Sequence, residues 1–267
     1  MRPAKDTTQH LLAEAWQDLW PDAETVCLTE TASTNDDARA LGLRGAAHGS
    51  LVIADAQSAG RGRRGASWIA PPGHCLLASF LLRPSLPPEA WPRLTHAAAL
   101  AVCSALDGIP DLPPASIKWP NDVYVHDRKL CGILVESVID SRGGFAVVGI
   151  GVNLNVAALD LPADLQPIAT SVFMENGGQP ADRTAFTISL AHALKSALAR
   201  AESDFSSLLA DCASRSWLAG KFLRVSLPHG EVTGTWAGLG PGGELLLTQP
   251  DGTLTAITSA ERVRSIP

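Results

Sequence analysis

Between two apolar stretches, Ser50 to Ala56 and Cys75 to Leu82, the chain carries Gly60-Arg61-Gly62-Arg63-Arg64-Gly65. The spacing satisfies the G-x-G-x-x-G fingerprint of a dinucleotide-binding unit and follows a predicted strand. Such a unit needs a helix directly after the glycines, with its N-terminus on the pyrophosphate and an acidic residue roughly twenty positions on. Here Trp68, Pro71, Pro72 and Gly73 lead into a second apolar strand. A dinucleotide fold is therefore excluded, and a loop between two strands remains. Its glycines let backbone approach a ligand closely, and its arginines offer paired donors to carboxylate or phosphate oxygens. Three arginines in four residues repel one another unless they meet an anion, so in a chain of net charge −6 binding is favoured over a plain solvated loop.

Periodicity divides the rest of the chain. Leu11, Leu12, Ala15, Trp16 and Leu19 recur at helical spacing before Pro21, predicting a short opening helix. Thr25 to Thr29 reads as a strand. Ser33-Thr34-Asn35-Asp36-Asp37 then reads as a helix N-terminus with hydroxyl or amide caps and acidic residues in its first turn, the helix running to Gly45. An Ala-rich helix is expected over Glu89 to Leu106, with Pro92 in its first turn. Strands follow at Ile117 to Trp119, Val123 to His126, Leu130 to Ile139 and Phe145 to Val156, the last two joined by a Ser141-Arg142-Gly143-Gly144 turn. These look like antiparallel hairpins, and Phe145 to Val156 is a candidate edge for pairing two copies across a two-fold axis.

Helices are expected from Asp182 to Ala201 and from about Ser203 to Leu218. Beyond Gly220 five short segments separated by Pro228-His229-Gly230, Gly240-Pro241-Gly242-Gly243 and Pro250-Asp251-Gly252 predict a small all-β unit. The expected division is 1–219 and 220–267. Strands and helices mix in the larger unit without regular βαβ alternation, which points to an α+β fold.

Composition limits the setting. With 46% hydrophobic and 18% charged residues the chain can bury a core without disulfides or structural metal. No apolar run approaches the ~20 residues of a membrane span, so no membrane partner is expected. The acidic balance argues against a surface that attracts nucleic acid throughout. Five cysteines, at 27, 75, 103, 131 and 212, are odd in number and widely spaced, so they read as buried thiols of a reducing compartment rather than zinc ligands. Asp6 and Glu14 stand where a secretory signal would be apolar, which makes the cytoplasm the expected location. About twenty residues precede the first strand, too few for a helix-turn-helix domain, so DNA is not an expected partner.

Two further clusters stand out. Lys118-Trp119-Pro120-Asn121-Asp122 precedes Arg128-Lys129-Leu130-Cys131-Gly132. Asn121-Asp122 after a proline is equally well a turn closed by its own Asx hydrogen bonds. Lys129 opens a long apolar strand, where its ammonium either stabilises charge at a phosphoryl group or guards a sheet edge. In Gly149-Ile150-Gly151-Val152-Asn153 two glycines interrupt a β-branched run, marking either a β-bulge or a place where a ligand or another backbone meets the sheet.

Taken in order, Ser33-Thr34-Asn35, Gln57 with Gly60 to Gly65 and Trp68, Lys118 to Asp122, Arg128-Lys129-Leu130 with Gly132, and Gly151-Val152-Asn153 resemble the biotin protein ligases. The motifs cover roughly residues 24 to 160; the β-unit after 219 fits that family's SH3-like domain by length and pattern. Ala66-Ser67 and His74-Cys75-Leu76 depart from the usual pattern around the loop.

The resemblance implies a mixed, largely antiparallel sheet flanked by helices, of the class II aminoacyl-tRNA synthetase and biotin ligase type, followed by a small SH3-like β-barrel. It implies a ligase that uses ATP and Mg2+ to turn biotin into biotinyl-5′-AMP and then biotinylates a lysine of a biotin carboxyl carrier protein. Ser33, Thr34 and Gln57 are then expected to hydrogen-bond the ureido ring, with Asn35 also among the biotin-binding residues. Gly60, Arg61, Gly62 and Arg63 would close over the biotin, with Gly132 beside it, and Lys129 would meet its carboxylate and the α-phosphate. Trp68, Lys118, Asn121, Gly151 and Asn153 fall on the adenylate side. Asp122 matches an acidic partner of either magnesium or the nucleophilic lysine, and Arg63, Lys129 and Asp122 are the expected catalytic set. A lipoate or octanoate ligase-like acyltransferase is the nearest alternative, although the Arg-Arg-x-x-Gly-Gly-Gly signature is absent; a non-catalytic nucleotide- or RNA-binding module is the other. A homodimer is compatible with the pattern.

Overall fold

The computed structural model describes residues 5–139 and 144–266. The Ser141 to Gly143 part of the expected hairpin turn lies outside them. Helix α1 (Lys5–Leu19) leads to strand β1 (Thr25–Thr31), helix α2 (Thr34–Leu43) and strand β2 (Ser50–Gln57). After the arginine loop come β3 (Cys75–Leu82), α3 (Arg93–Leu106), β4 (Ala115–Lys118), β5 (Asp122–Val125), β6 (Arg128–Val138) and β7 (Phe145–Asn153). A one-turn helix α4 (Val172–Glu175), α5 (Arg183–Ser203) and α6 (Phe205–Ser214) complete the larger part.

These strands form one sheet in the order β1-β2-β3-β7-β6-β5-β4. Only β1 and β2 run parallel, joined over the sheet by α2; every other neighbour is antiparallel. The α+β architecture with a mixed, largely antiparallel sheet is therefore the observed one. Phe145 to Val156, expected to be an edge, is not one: β7 lies between β3 and β6, with one face in the core and the other covered at Phe145 and Val147 and open at Gly149 and Gly151. The outer strands are β1 and β4, and β4 is itself bridged at Ile117 by Ser216.

Strand alternation sorts the two faces. Leu76, Ala78 and Phe80 of β3 and Val148, Ile150 and Val152 of β7 turn toward α1, α3, α5 and α6 and build the main core. On the opposite face Leu81, Phe145 and Val147 pack against Ala38 and Leu41 of α2. Because α2 covers only part of that face, the remainder stays open to the loop after β2.

Several local expectations change. Ser33 occupies the N-cap of α2, but its side chain makes no capping bond; Thr34 N–H is received by Gln57 Oε1 at 2.8 Å. Leu11 of α1 faces solvent, while Leu12 and Trp16 are buried. Pro92 is the N-cap of α3, which begins at Arg93 after a separate turn at Pro88–Ala90, since proline cannot supply the interior N–H that a helix from Glu89 would need.

The second unit is an antiparallel sheet of β8 (Phe222–Leu227), β9 (Gly230–Leu239), β10 (Leu245–Thr248), β11 (Leu254–Ile257) and β12 (Arg262–Ser265), in the order β11-β10-β9-β8-β12. Ile257 and Val263, on its two outer strands, share one small core with Leu223, Val225 and Leu245, so the sheet curls on itself. That core also takes in Trp119 of the larger unit. Trp119 Nε1 donates to Gly243 O at 2.9 Å, and a Cβ at Gly243 would stand 2.3 Å from His96 Nε2. No helix among the described residues is long and apolar enough to cross a membrane.

His96 is therefore buried at the junction of the two sheets, and burial holds its pKa down to about 4. An unfolded histidine takes its proton near 6.5 whereas His96 stays neutral, so stability falls as pH drops across that window, by about 1.4 kcal/mol per pH unit. Urea unfolding between about pH 7 and about pH 5 should show a loss of about 2 kcal/mol from this group. His48, which burial also lowers, adds in the same direction. A His96→Gln chain should show a shallower slope, with the His48 share remaining; an equal slope in both chains would assign the acid sensitivity elsewhere.

Candidate active site

The open part of the sheet face forms the floor of a cleft of about 540 Å³. Gly132, Gly149 and Gly151 point from β6 and β7 toward it, and each gives its place to another side chain. A Cβ on Gly149 would lie 2.2 Å from Asn35 Oδ1, one on Gly151 2.6 Å from Trp68 Cε2, and one on Gly132 2.9 Å from Trp68 Cζ3. The glycines thus admit the amide of α2 and the indole of the loop. Trp68 lies across the strands with its Nε1 buried and without a hydrogen-bond partner, a donor left for something in the cleft.

At the α2 end the wall is polar and already hydrogen-bonded. Thr34 N and Oγ1 both donate to Gln57 Oε1, at 2.8 and 3.0 Å. Ser79 Oγ has Thr34 Oγ1 at 2.8 Å and Asn35 Oδ1 at 2.6 Å, so its single proton has two acceptors in reach. Asn35 Nδ2 donates to Glu136 Oε2 at 2.6 Å. Ser33, Thr34, Asn35 and Ser79 are all buried, which fixes their orientations before any ligand arrives.

The arginine loop folds back on itself. Gly62 N donates to Ala66 O and Trp68 N to Gly60 O, while Arg64 sits at φ 57° and Gly65 at φ 76°. Its three arginines diverge. Arg61 makes a paired contact with Asp36, 2.7 Å on each arm, and lies 3.7 Å from Glu136. The same pairing holds the Asp36 carboxyl below its usual range. Arg64 reaches Glu261 at 3.0 Å and Ser259 at 3.3 Å in the second unit. Only Arg63 turns to the inside, 3.4 Å from Asn121 Oδ1, and burial followed by the neighbouring Arg64 lowers its pKa. The loop that looked like one cationic cluster is thus two anchors and one half-buried guanidinium.

In the same cleft as Arg63, Lys129 Nζ stands 2.6 Å from Asp122 Oδ1 and 5.6 Å from the centre of the Trp68 ring. Lys129 does not lie on an edge strand; β6 is flanked by β7 and β5, and a register shift in the β5–β6 pair falls beside it. Lys118 donates to Tyr124 OH at 3.0 Å and rests over the Tyr124 and Trp217 rings, its pKa lowered by burial and Tyr124 pushed up to about 12. Asn121 Nδ2 is fixed by Ile133 O at 2.7 Å.

The structure brings Ser33, Thr34, Asn35, Gln57, Arg61, Gly62, Arg63, Trp68, Lys118, Asn121, Asp122, Lys129, Gly132 and Gly151 into one wall. Two expected residues stand apart from it. Gly60 lies behind the loop, where a Cβ would meet Trp68 O at 2.7 Å and Gln57 Nε2 at 3.0 Å. Asn153 is buried below, its Nδ2 donating to Thr170 O at 2.9 Å. Sequence reading missed Ser79, Glu136 and Asp36, and the Ala260 to Val263 segment that closes one side. Ser79 and Glu136 did leave a signal, since each is a polar interruption in an apolar strand; nothing near residue 260 does.

Residues 27–153 match the biotin/lipoate A/B protein ligase family. The chain is 35% identical over 237 residues to a biotin--[acetyl-CoA-carboxylase] ligase of Paracoccus denitrificans, covering 84% of this chain and 94% of that protein. It is 37% identical over 147 residues to the bifunctional ligase/repressor BirA of Bacillus spizizenii, covering 55% of this chain and only 45% of that longer relative. Among solved structures, the biotin protein ligase of Aquifex aeolicus in complex with biotin and ATP superposes with a TM-score of 0.78 at 29% identity, over 91% of this chain and 99% of that one.

Replacing Gly149 tests the floor directly. Gly149→Ala forces a methyl into the Asn35 amide and should cost about 1–3 kcal/mol in urea unfolding by overpacking. Wild-type stability in that variant would show that Asn35 can leave its place freely.

Proposed function

The chain belongs to the biotin protein ligase family, and we propose that it activates biotin with ATP as biotinyl-5′-AMP and passes the biotinyl group to a lysine of a biotin carboxyl carrier protein. The observation that carries this reading is the placing of Arg63 and Lys129 at one cleft, with a neutral, pre-bonded polar pocket at its other end.

The polar pocket suits a urea-like ring. Thr34 and Gln57, already bonded to each other, present hydroxyl and amide groups of fixed direction, with Ser33 beside them and Asn35 held from behind by Ser79 and Glu136. In the first step a biotin carboxylate oxygen attacks the α-phosphorus of ATP, the bond to pyrophosphate breaks, and biotinyl-5′-AMP forms. Two anions must approach each other, so Arg63 and Lys129 act by neutralising the charge that builds up at phosphorus. The Trp68 face and the Asn121 and Lys118 side chains lie on the adenylate side. Arg61, tied to Asp36 and Glu136, holds the loop over the site and keeps water away from the anhydride. In the second step the carrier lysine, as a free amine, attacks the biotinyl carbonyl and AMP leaves.

The magnesium ion that accompanies ATP would meet the single carboxylate of Asp122 together with the phosphates. The proposed division is 1–219 for the adenylating unit and 220–267 for the second unit, which supplies Ala260 to Val263 to the cleft wall. Helix α1 is built into the core of the adenylating unit, with Trp16 Nε1 donating to Gly49 O at 2.8 Å. A cytoplasmic setting is supported by Cys75, Cys103, Cys131 and Cys212, which lie as thiols inside the core. Should two copies pair through the large sheet, the strand concerned would be β1.

Biotin-dependent exchange of labelled pyrophosphate into ATP tests the first step. Exchange should need biotin, be unaffected by excess lipoate, and fall by about a hundredfold or more in Arg63→Ala and in Lys129→Ala. Well-folded wild-type protein without exchange would overturn the reading, and inhibition by lipoate would move it to an acyltransferase of that class.

A further inference from the structure

Glu175, on the one-turn helix α4, lies outside the cleft and yet has a carboxylate only 7% exposed. It receives Arg128 Nη2 at 2.7 Å and Thr170 Oγ1 at 2.5 Å on Oε1, and has His126 Nε2 at 3.7 Å from Oε2. His126 and Arg128 bracket the β5–β6 turn that leads into Lys129. A buried carboxylate held by two basic side chains and a hydroxyl is costly to build unless it fixes something.

What it fixes is the backbone of Lys129. The β5–β6 register shifts here, Val123 facing Cys131 and Tyr124 facing Lys129, so an extra residue loosens the ladder at this point. The loop segment 168–170, bridged to Lys129 at Ala169, compensates: Lys129 N donates to Ile168 O and Thr170 N to Lys129 O, both at 2.8 Å. Thr170 is in turn held by Glu175 at its hydroxyl and by Asn153 Nδ2 at its carbonyl. Asn153, expected at the ligand, belongs to this clamp instead.

We propose that Glu175 is a positioning residue for Lys129 in the biotin-activation step, acting through Thr170 and Arg128. The inference rests on the ligase reading. Glu175→Gln keeps the shape but removes the charge that gathers Arg128 and His126. It should lower kcat for pyrophosphate exchange about tenfold while KM for biotin changes less than about twofold, and Glu175→Asp should recover part of the loss. In a Lys129→Ala background the same substitution should cost less than about twofold, because the two residues act as a unit.

A second readout needs no catalysis. Under a limiting amine-acetylating reagent, the Lys129 amine of free Glu175→Gln protein should react about threefold faster than in wild type when normalised to Lys195, whose ammonium lies on the Leu19 carbonyl in another part of the fold. Unchanged kcat, an equal loss in both backgrounds, or unchanged Lys129 reactivity would each overturn the proposal. Wild-type protein without exchange would overturn the ligase reading instead, and the acetylation result would still decide whether Glu175 sets Lys129.

Discussion

The molecule turns on a steric exchange at the centre of its sheet. Where β6 and β7 meet, three positions surrender their side chains, and the volume goes to Asn35 from one side and Trp68 from the other. A strand interior is normally weakened by glycine, which packs nothing and loses more entropy on folding than any other residue. Here the gain is that two elements distant in sequence, the start of α2 and the end of the arginine loop, rest directly on the backbone of the sheet. The cleft lies between them, and its polar pocket and cationic wall have their directions set by that contact.

Electrostatics then divides labour within a very short segment. Arg61 and Arg64, both well exposed to solvent, meet carboxylates on different elements and contribute to stability only modestly, as exposed pairs do. Their effect is geometric, since between them they carry Arg63 inward with burial opposing its charge. Arg63 and Lys129 thus share a wall where solvent screening is reduced and where each is worth more to an arriving anion. Asp122 keeps Lys129 from facing Arg63 as an uncompensated like charge.

Most of the fold was legible in the sequence because strand alternation, proline stops and glycine turns act locally. The strands and the two long helices fall within a few residues of their predicted limits, and the motif order led to the right family. The misplaced features are the non-local ones. Phe145 to Val156 reads as an edge because alternation cannot say what lies to either side of a strand. Asn153 reads as a ligand group because sequence places it next to Gly151, whereas its amide is claimed by Thr170 seventeen positions on. The arginines read as one cluster because their partners, Asp36 and Glu261, come from opposite directions. The segment at 260–263 carries no local sign of its role at all.

The Arg64 contact with Glu261 and Ser259 has a meaning for how this chain can change over time. A residue of the loop and a residue nearly two hundred positions away form one seam, and the same stretch closes the cleft. The two sheets are consequently not interchangeable parts. A second unit borrowed from a distant relative would bring its own core intact but a foreign seam, so the two halves are constrained to drift together, and the sites that record their shared history lie along that seam rather than inside either core.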